Sequence, residues 1–419
     1  MTGPAAIRLD SSHPRETRWP AAPARPTTFL RCDSRSGVAT LYERTDAVRR
    51  WDYPLEALAW MAEHIREAGP NARWIGYVSY DLGRLFEDLP AVAADDLALP
   101  LFAFGLVRDD DAATPPARIK GDGNLYIPMD RDAACPPRST FTRDEYLAAV
   151  ERTIEYVRAG DVFQVNLSQR FTLPLADSPA AIYGRLLDAA PARYGALLDF
   201  GDHALICNSP ELFLRVVPDA ANGARVVTTR PIKGTRPRQP GMDVQLRESS
   251  KDQAELNMIV DLERNDLGRV CRIGSVKVLE PRVIELHPTV YHGAATIIGV
   301  LRDDVSFTDL LRATFPGGSV TGAPKVRAMQ IIEELEQVRR GPYCGAIGYL
   351  AGDGRMEFNV AIRTMIARNG RIHVPVGGGI VADSDPAAEY DETLVKARAM
   401  FAAVGLSMAG QTFLSASRP

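Results

Sequence analysis

Lysine is scarce in this chain: only six of its 49 lysine and arginine side chains are lysines. An arginine stays protonated in proteins, whereas a desolvated lysine can lose its proton and act as a nucleophile or a base. In a chain that uses arginine for most of its positive charge, each lysine is therefore a candidate for chemistry that arginine cannot perform. The six are Lys120, Lys233, Lys251, Lys277, Lys325 and Lys396.

Other shortages narrow the class of protein. The net charge is −4 and no basic block occurs, so nucleic-acid binding is not indicated. No apolar run reaches the roughly 18–20 residues that span a bilayer, so no membrane segment is expected. The N-terminus lacks the apolar core of a signal peptide. The cysteines form no CxxC pair, which is typical of buried, reduced thiols in a cytoplasmic protein; they are Cys32, Cys135, Cys207, Cys271 and Cys344.

The length allows two domains or one unusually large domain. Residues 1–26 are rich in proline and arginine and are predicted to form a disordered tail. Residues 27–137 are predicted to form a shortened N-terminal region, which ends in a polar interval rich in proline and glycine. Residues 138–408 form the larger predicted domain, which carries the motifs described below.

The order of helices and strands is typical of an α+β fold. Thr142 and Glu145 form a capping box that starts a helix, and another helix is predicted at 55–67. From 163 to 168 apolar and polar residues alternate, which predicts a half-buried strand. Turn residues rather than helices separate several of the further strand-like runs, which favours antiparallel sheets with helices outside. Those runs are 204–207, 225–229, 346–350, 361–367 and 372–376.

Two predicted helices each present a pair of acidic residues. Asp252 and Glu255 are three residues apart and project from one face. On a helix that starts at 385–386, Glu389, Glu392 and Lys396 also share a face. Such carboxylates could hold a hard divalent cation such as Mg²⁺, which takes oxygen ligands and keeps positions open for substrate. Solvated helix faces paired with nearby cations are the alternative.

Two glycine-rich segments could approach a ligand. The loop 316–325 leads into a helix, and its backbone amides suit an anion. Gly317 and Gly322 have the spacing of a nucleotide-binding P-loop, but Ala323 stands where that motif needs lysine, so ATP binding is not predicted. Residues 377–379 are three glycines after a predicted strand, which permits close approach of a ligand. A tight turn is the alternative there.

Glu211 follows an apolar strand and precedes Leu212 and Phe213. A carboxyl in apolar surroundings has a raised pKa and can serve as a general acid. An ordinary glutamate at the end of a strand is the alternative.

Together these segments resemble one family, the chorismate-utilising enzymes. The family includes component I of anthranilate synthase, component I of aminodeoxychorismate synthase, and the isochorismate and salicylate synthases. The resemblance implies an α+β fold with two packed antiparallel sheets, helices around them and the site between the sheets. It makes 138–408 a chorismate-binding catalytic domain. The matching blocks are 164–167, 209–211, 230–235, 252–261, 316–329, Arg363 and 377–382.

The resemblance also implies a metal site. Glu255 and Glu392 would bind Mg²⁺, with Asp252 and Glu389 supporting them. The metal would hold the ring carboxylate of chorismate, a ligand suited to a hard cation. Lys396 would add positive charge near that carboxylate.

Other residues are implied to bind the substrate. Arg363 and Tyr343, with the amides of Gly378 and Gly379, would grip the enolpyruvyl carboxylate, the arginine through a bidentate pair. His292 would help to orient the ring, although the residues after it are smaller than is usual in the family. The complete implied set is Gly234, Thr235, Ser319, Tyr343, Arg363, Gly378, Gly379 and Lys396.

Two positions separate the branches of the family. Water-using members have a lysine base where this chain has Gln164, and a neutral amide cannot deprotonate water. At the second position, anthranilate synthases typically read Pro-Ile-Ala-Gly-Thr, whereas aminodeoxychorismate synthases typically read Pro-Ile-Lys-Gly-Thr. This chain has the lysine, Lys233. The implied mechanism has neutral Lys233 attack C2 while Glu211 protonates the departing C4 hydroxyl. Ammonia then attacks C4 and expels the lysine, and a neighbouring cation such as Arg230 would help to lower the lysine pKa.

The expected activity is therefore synthesis of 4-amino-4-deoxychorismate for 4-aminobenzoate and folate. No glutaminase region with a nucleophilic cysteine is recognised, so a separate glutamine amidotransferase subunit is expected to supply ammonia. The serine-containing tryptophan site of anthranilate synthases is not recognised either. Two alternatives remain: anthranilate synthase component I, or a non-catalytic relative that binds the amidotransferase.

Overall fold

The computed structural model describes residues 6–11, 19, 21–108, 137–287, 290–406 and 414–415. Within them there are eight α-helices and 22 strands, and the strands form a 10-stranded and a 12-stranded sheet. The pairings within these sheets are antiparallel except between the two short strands β8 and β22, Arg138–Ser139 and Leu414–Ser415. The α+β fold with two antiparallel sheets is therefore confirmed.

The first sheet has the order β2-β1-β10-β11-β20-β21-β9-β8-β22, with β17 paired to β9. Its other strands are β1 (Ala6–Asp10), β2 (Ala21–Ala24), β9 (Gln164–Pro174), β10 (Tyr194–Asp199), β11 (His203–Ser209), β17 (Gly322–Ala323), β20 (Thr364–Arg368) and β21 (Arg371–Ile380).

The second sheet has the order β14-β16-β13-β12-β19-β18-β6-β7-β3-β4-β5, with β15 paired to β16. Its strands are β3 (Thr28–Cys32), β4 (Ala39–Glu43), β5 (Asp46–Trp51), β6 (Ala72–Val78), β7 (Phe102–Arg108), β12 (Leu212–Pro218), β13 (Arg225–Arg230), β14 (Ile232–Pro237), β15 (Lys277–Leu286), β16 (Val290–Val300), β18 (Ala346–Ala351) and β19 (Met356–Val360).

The helices cover the outer faces of the two sheets. α3 and α8 share an apolar core with the first sheet, and α1, α5 and α6 share one with the second. A third core lies between the sheets, where Leu205 of β11 packs with Ile75 of β6 and Ile347 of β18. The helices are α1 (Pro54–His64), α2 (Arg143–Arg158), α3 (Pro179–Ala189), α4 (Met242–Glu248), α5 (Ser250–Gly268), α6 (Phe307–Thr314), α7 (Lys325–Leu335) and α8 (Pro386–Ala403).

Several local predictions are confirmed. Thr142 and Glu145 form the capping box at the start of α2, since each side chain bonds to the backbone N–H of the other residue. The Ser249 side chain caps α5 through the N–H of Asp252, and Asp385 caps α8. The helix predicted at 55–67 is α1 followed by one 3₁₀ turn, Ile65–Ala68. The described cysteines are buried, free thiols, and Cys135 lies outside the described residues.

Predicted disorder at the N-terminus is wrong for two short stretches. Ala6–Asp10 pairs in register with β10, and Ala21–Ala24 pairs with Ala6–Asp10 in turn. Trp19 is fully buried and donates from Nε1 to the carbonyl of Gly195 at 2.9 Å. Because the partner strand lies far away in the sequence, local composition carried no sign of this pairing.

The boundary predicted near residue 138 does not separate two sheets. The second sheet places β6 and β7 from the predicted N-terminal region beside β18 from the predicted catalytic domain. Most of the polar interval that suggested the boundary, 109–136, lies outside the described residues.

Two strand predictions also change. β9 is buried on both faces rather than half-buried, since Gln164, Asn166 and Ser168 are buried, as are Val165 and Leu167 between them. The glycines at 377–379 lie inside β21 and pair with β9, so they form neither a turn nor a loop after the strand. No helix in the described ranges combines the length and apolar character needed to cross a membrane.

Candidate active site

The predicted site residues meet where the two sheets approach each other. Gln164 on β9 and Gly379 on β21 belong to the first sheet, and Lys233 on β14 belongs to the second. A methyl carbon built on Gly379 would lie 2.8 Å from Nε2 of Gln164 and 3.4 Å from Nζ of Lys233. The glycine therefore makes room for both side chains, and the two branch-determining residues lie side by side.

Lys233 has the environment of an amine that readily loses its proton. Its side chain is half-buried, and its amine forms no hydrogen bond or ion pair with the described residues. Burial lowers the pKa of Lys233, and the nearby carboxylates Glu255 and Glu211 act in the opposite direction. Arg230, the cation expected to act on Lys233, pairs with Glu285 at 2.6 Å, whereas Lys396 is a cation that lowers the pKa of Lys233.

Glu211 stands between the sheets, after the last residue of β11 and before the first residue of β12. Its side chain is buried. Burial raises the pKa of Glu211 to about 7, while the neighbouring Ser319 hydroxyl, Lys233 and Arg363 limit the rise. The carboxyl is therefore able to hold a proton near neutral pH, as a general acid must.

The acidic pairs of α5 and α8 face one another. Burial raises the pKa of Glu255, and the charges of Asp252 and Glu392 raise it further. Glu392 is more exposed, and Lys396, one turn along α8, lies 2.7 Å from its Oε1. That lysine lowers the pKa of Glu392. Glu255 and Glu392 thus come close enough to repel each other without a bond between them.

The two supporting carboxylates are engaged by other groups. Asp252 accepts from Nη2 of Arg236 at 2.8 Å, and Glu389 accepts from Oγ of Ser384 at 2.6 Å. A methyl carbon on Gly378 would lie 3.3 Å from Oε2 of Glu389. Asp252 and Glu389 therefore sit beside the facing pair, held by protein contacts.

The facing pair suits a cation that needs few protein ligands. No group of three or more His, Cys, Asp or Glu side chains within the described ranges is arranged to hold a metal ion unaided. Mg²⁺ commonly binds through one or two carboxylates and keeps waters or substrate oxygens as its other ligands. Glu255 and Glu392 fit that pattern.

Lys396 connects α8 to the glycine-rich strand. Its Nζ donates to the carbonyl of Gly377 at 2.9 Å, besides pairing with Glu392. Lys251 is exposed, and its charge reaches Glu255 and Glu392. Lys325 is bound to Asp266 and to the carbonyl of Thr314, at 2.6 and 2.8 Å. Lys277 is exposed on β15, and Lys120 lies outside the described residues.

Arg363 has a strained backbone beside Glu211. Its φ of +49° is uncommon for a residue with a side chain, and such strain clusters at functional sites. Burial lowers the pKa of Arg363, and Glu211 opposes that change. Tyr343 is buried with Arg340, Glu336 and Cys344 as charged or polar neighbours.

His292 is fully buried on β16, opposite the exposed Thr235 of β14. Burial lowers the pKa of His292, and Arg363 and His287 add to the effect. The imidazole is therefore neutral at physiological pH. Its ring centroid lies 4.6 Å from that of His287.

Several buried polar atoms at the site lack a hydrogen-bond partner in the described part of the chain. They are both amide atoms of Gln164, Oε1 of Glu211, Oγ of Ser319 and both ring nitrogens of His292. Buried polar groups are almost always paired, and an unpaired one is costly. A polar ligand between the sheets would supply the missing partners.

Sequence reasoning missed two acids behind this group. Glu263 and Asp266 are buried on α5, on the face that also carries Asp252 and Glu255. The helical periodicity extends from 252 to 266, so the same spacing argument would have found them.

Comparison with known proteins identifies the family to which this chain belongs. A sequence profile described as chorismate binding enzyme matches residues 36–402. Anthranilate synthase component 1 of Thermus thermophilus is 42% identical over 80% of this chain and 78% of its own length. Aminodeoxychorismate synthase component 1 of Salmonella typhimurium is also 42% identical, over 87% of this chain and 83% of its own length. Relatives that carry out two different reactions are thus equally similar.

A solved structure agrees with the sequence comparison. The crystal structure of anthranilate synthase component I from Streptococcus pneumoniae superposes with a TM-score of 0.74 at 31% identity. The match covers 95% of this chain and 92% of that one. The profile match and these relatives show that the chain belongs to the chorismate binding enzyme family and is a chorismate-utilising enzyme.

Proposed function

We propose that this chain is component I of an aminodeoxychorismate synthase, which converts chorismate and ammonia to 4-amino-4-deoxychorismate for 4-aminobenzoate and folate synthesis. The observation that carries the proposal is the position of Lys233. Its amine has a lowered pKa and shares the site with Glu211 and Glu255. Direct attack of ammonia at C2, as in anthranilate synthesis, needs no nucleophile from the protein, so a lysine here favours amination at C4.

The first step uses Lys233 and Glu211 together. Neutral Lys233 attacks C2, the ring double bonds shift, and the C4–oxygen bond breaks while Glu211 gives its proton to the departing hydroxyl. Water leaves, and the lysine is joined to C2 through a positively charged nitrogen. A general acid with a pKa near the working pH contributes about 10²–10⁴-fold to such a step.

The second step reverses the shift of the double bonds. Ammonia attacks C4, the bond between C2 and Nζ breaks, and Lys233 leaves as a neutral amine. The new C4 ammonium then loses one proton. Gln164 lies beside Lys233, and its amide cannot deprotonate water, which supports a nitrogen nucleophile rather than water at this site.

Charged groups would hold the two carboxylates of the substrate. When bound, Mg²⁺ supplies the positive charge that holds the ring carboxylate, with Glu255 and Glu392 as its protein ligands. Asp252 and Glu389, held by Arg236 and Ser384, would support the site from beside these ligands. Without the metal, Glu255 and Glu392 repel each other and would also repel the ring carboxylate of the substrate. Substrate and metal are therefore expected to bind cooperatively.

Other residues would hold the enolpyruvyl group. Arg363 would supply a half-buried cation for its carboxylate, with Tyr343 and the amides of Gly378 and Gly379. The unpartnered Ser319 and His292 contact the remaining polar groups of the substrate. Gly234 and Thr235 fix the backbone beside Lys233.

The names of the relatives include the words "component 1", which supports the existence of a second subunit. We infer that a glutamine amidotransferase partner delivers ammonia to this chain.

Anthranilate synthase component I is the second candidate. The relative from Thermus thermophilus and the structure from Streptococcus pneumoniae favour it. Lys233 is the observation against it.

One assay separates the two reactions. The chain is incubated with chorismate, Mg²⁺ and ammonium at mildly alkaline pH, and pyruvate and ring products are measured. The proposal predicts 4-amino-4-deoxychorismate without pyruvate. Anthranilate with an equal amount of pyruvate would contradict it, and no chorismate consumption with either ammonia or the partner would favour a non-catalytic role.

A further inference from the structure

Two connections between the sheets run side by side at the proposed active site. β11 of the first sheet continues through 210–211 into β12 of the second, and β19 of the second continues through 361–363 into β20 of the first. The strands are paired on both sides of this crossing, β11 with β20 and β12 with β19. One connection carries Glu211 and the other carries Arg363, so the bonds between the connections fix these two residues relative to each other.

Backbone hydrogen bonds join the two connections at each end of the crossing. The N–H of Asn208 donates to the carbonyl of Arg363 at 3.1 Å, and the N–H of Val360 donates to the carbonyl of Glu211 at 3.0 Å. In a regular antiparallel ladder a hydrogen-bonded pair exchanges two such bonds. The second bond, from the N–H of Glu211 back to the carbonyl of Val360, is replaced by a side chain.

That side chain is the hydroxyl of Ser209, the fully buried last residue of β11. Its Oγ accepts from the N–H of Glu211 at 3.2 Å and donates to the carbonyl of Val360 at 2.6 Å. A serine hydroxyl has a single hydrogen, and here that hydrogen is committed to Val360. Ser209 thereby ties the backbone of Glu211 to the end of β19.

The carboxyl of Glu211 depends on this backbone for its position. Oε1 has no hydrogen-bond partner in the described part of the chain, as is needed of an oxygen that meets the substrate. Its direction therefore follows from where the Glu211 backbone lies. A shift of the N–H of Glu211 would turn the side chain away from its present place between the sheets.

We propose that Ser209 is a positioning residue, whose hydroxyl aims the Glu211 carboxyl at the C4 hydroxyl of chorismate by holding the Glu211 N–H and the Val360 carbonyl together. The inference rests on the proposed function, in which Glu211 protonates that hydroxyl as it leaves. Ser209 does not touch the substrate and acts through Glu211. The bond from Asn208 to Arg363 does not involve the Ser209 hydroxyl, so binding of the substrate carboxylate should not depend on it.

Ser209→Ala and Ser79→Ala form a matched pair of variants. Both serines are buried, and Oγ of Ser79 donates to the carbonyl of Pro100 at 2.6 Å, the length of the bond from Ser209 to Val360. Each substitution leaves a buried carbonyl unpaired, so both variants should lose stability. Only Ser209→Ala should lose kcat, by about 10²-fold if the carboxyl moves by about 1 Å, with KM for chorismate within about twofold of the wild type. Equal kcat in the two variants would overturn the proposal.

A double-mutant cycle with Glu211→Gln separates positioning from a general structural defect. If Ser209 acts through the carboxyl of Glu211, adding Ser209→Ala to Glu211→Gln should slow the reaction no further, because no acid remains to be aimed. A structural defect would lower the rate by the same factor in both backgrounds. That additive result would overturn the proposal.

Ser209→Cys keeps the proposal testable if Ser209→Ala does not fold. The thiol fills the space of the hydroxyl but is a weak donor, so kcat should fall by at least about tenfold, and melting temperatures show that the variant is folded. Wild-type kcat in folded Ser209→Cys would show that the hydroxyl does not position the acid.

The identity of the product separates this inference from the proposed function. If the wild type makes anthranilate, the proposed function fails, but a slow Ser209→Ala variant with no added effect in Glu211→Gln still supports the role of Ser209, since the same hydroxyl must leave. If the wild type makes 4-amino-4-deoxychorismate and the two substitutions are additive, the inference about Ser209 alone fails. If the wild type consumes no chorismate, both proposals are overturned.

Discussion

Gly234 lies directly against Asp252: a methyl carbon on Gly234 would stand 2.9 Å from Cγ of Asp252. Gly234 has a φ of +79°, a conformation that residues with a side chain rarely adopt. Arg236 pairs with the same carboxylate at 2.8 Å. Because Gly234 follows Lys233 in the chain, these contacts fix the proposed nucleophile relative to α5.

Gly234→Ala is expected to reduce activity through this contact. The added methyl would lie 2.7 Å from Cδ1 of Leu246 as well as 2.9 Å from Cγ of Asp252, so it must push one of them or the Lys233 backbone away. A displacement of about 1 Å at a reacting group can cost roughly 10²-fold in rate. Gly223→Ala is the matched control, since Gly223 has a φ of +69° and nothing within 4 Å of an added methyl. Both variants should lose about 1 kcal/mol of stability from the backbone strain.

The measurement is kcat together with the melting temperature of both variants. If Gly234→Ala and Gly223→Ala keep the same kcat, the contact with Asp252 does not position Lys233.

The pH dependence of kcat/KM should have two limbs. Glu211 must be protonated to act as an acid, and its pKa is raised to about 7 by burial, so activity should fall as the pH rises above about 7. Lys233 must be neutral to attack, so activity should fall as the pH drops below its lowered pKa.

Glu211→Gln should lose about 10²–10⁴-fold in kcat, and its residual activity should lack the alkaline limb. An unchanged alkaline limb in this variant would show that another group is the acid.

Removal of the metal should abolish activity reversibly. EDTA is expected to stop chorismate consumption, and excess Mg²⁺ should restore it. Glu255→Gln and Glu392→Gln should each need more Mg²⁺ for half-maximal rate, because one carboxylate ligand is lost.

Asp391→Asn, at the exposed position next to Glu392, is the control. Equal Mg²⁺ requirements in all three variants would remove Glu255 and Glu392 from the metal site.

Local patterns predicted those parts of the site that lie on single helices. The caps of α5 and α8 and the spacing of their acids follow from short-range rules, and both helices form as expected. Spacing within one helix could not show that Glu255 and Glu392 face each other. That proximity depends on how the two sheets place α5 and α8 relative to each other, which no pattern within one helix reports.

Polar residues inside the protein misled the strand prediction. Alternation at 163–168 indicated one solvated face, but β17 and the start of α7 cover β9, and Gln164 is fully buried while Phe163 is 69% exposed. A binding site reverses the usual rule, because its polar groups are buried for a ligand. The pattern therefore failed at a residue of the proposed site.

A buried hydrogen bond between the sheets is expected to stabilise the fold without serving the site. The Tyr77 hydroxyl lies 2.8 Å from Nε2 of His203, and Nδ1 of that histidine lies 2.7 Å from Asp202. Tyr77→Phe leaves a buried nitrogen unpaired and should cost about 1–3 kcal/mol in the free energy of unfolding.

Urea unfolding measures that change, and Tyr53→Phe, whose ring is 70% exposed, is the control. Equal unfolding free energies in the two variants would contradict this role for Tyr77.

The most direct test of the account is Lys233→Ala. With chorismate, Mg²⁺ and ammonia, the variant should form no 4-amino-4-deoxychorismate, because no lysine is present to attack C2 and direct ammonia to C4. Loss of product, or its diversion to the C2 amine and anthranilate, is the predicted result. Formation of 4-amino-4-deoxychorismate at the wild-type rate would show that Lys233 is incidental and would contradict the central claim.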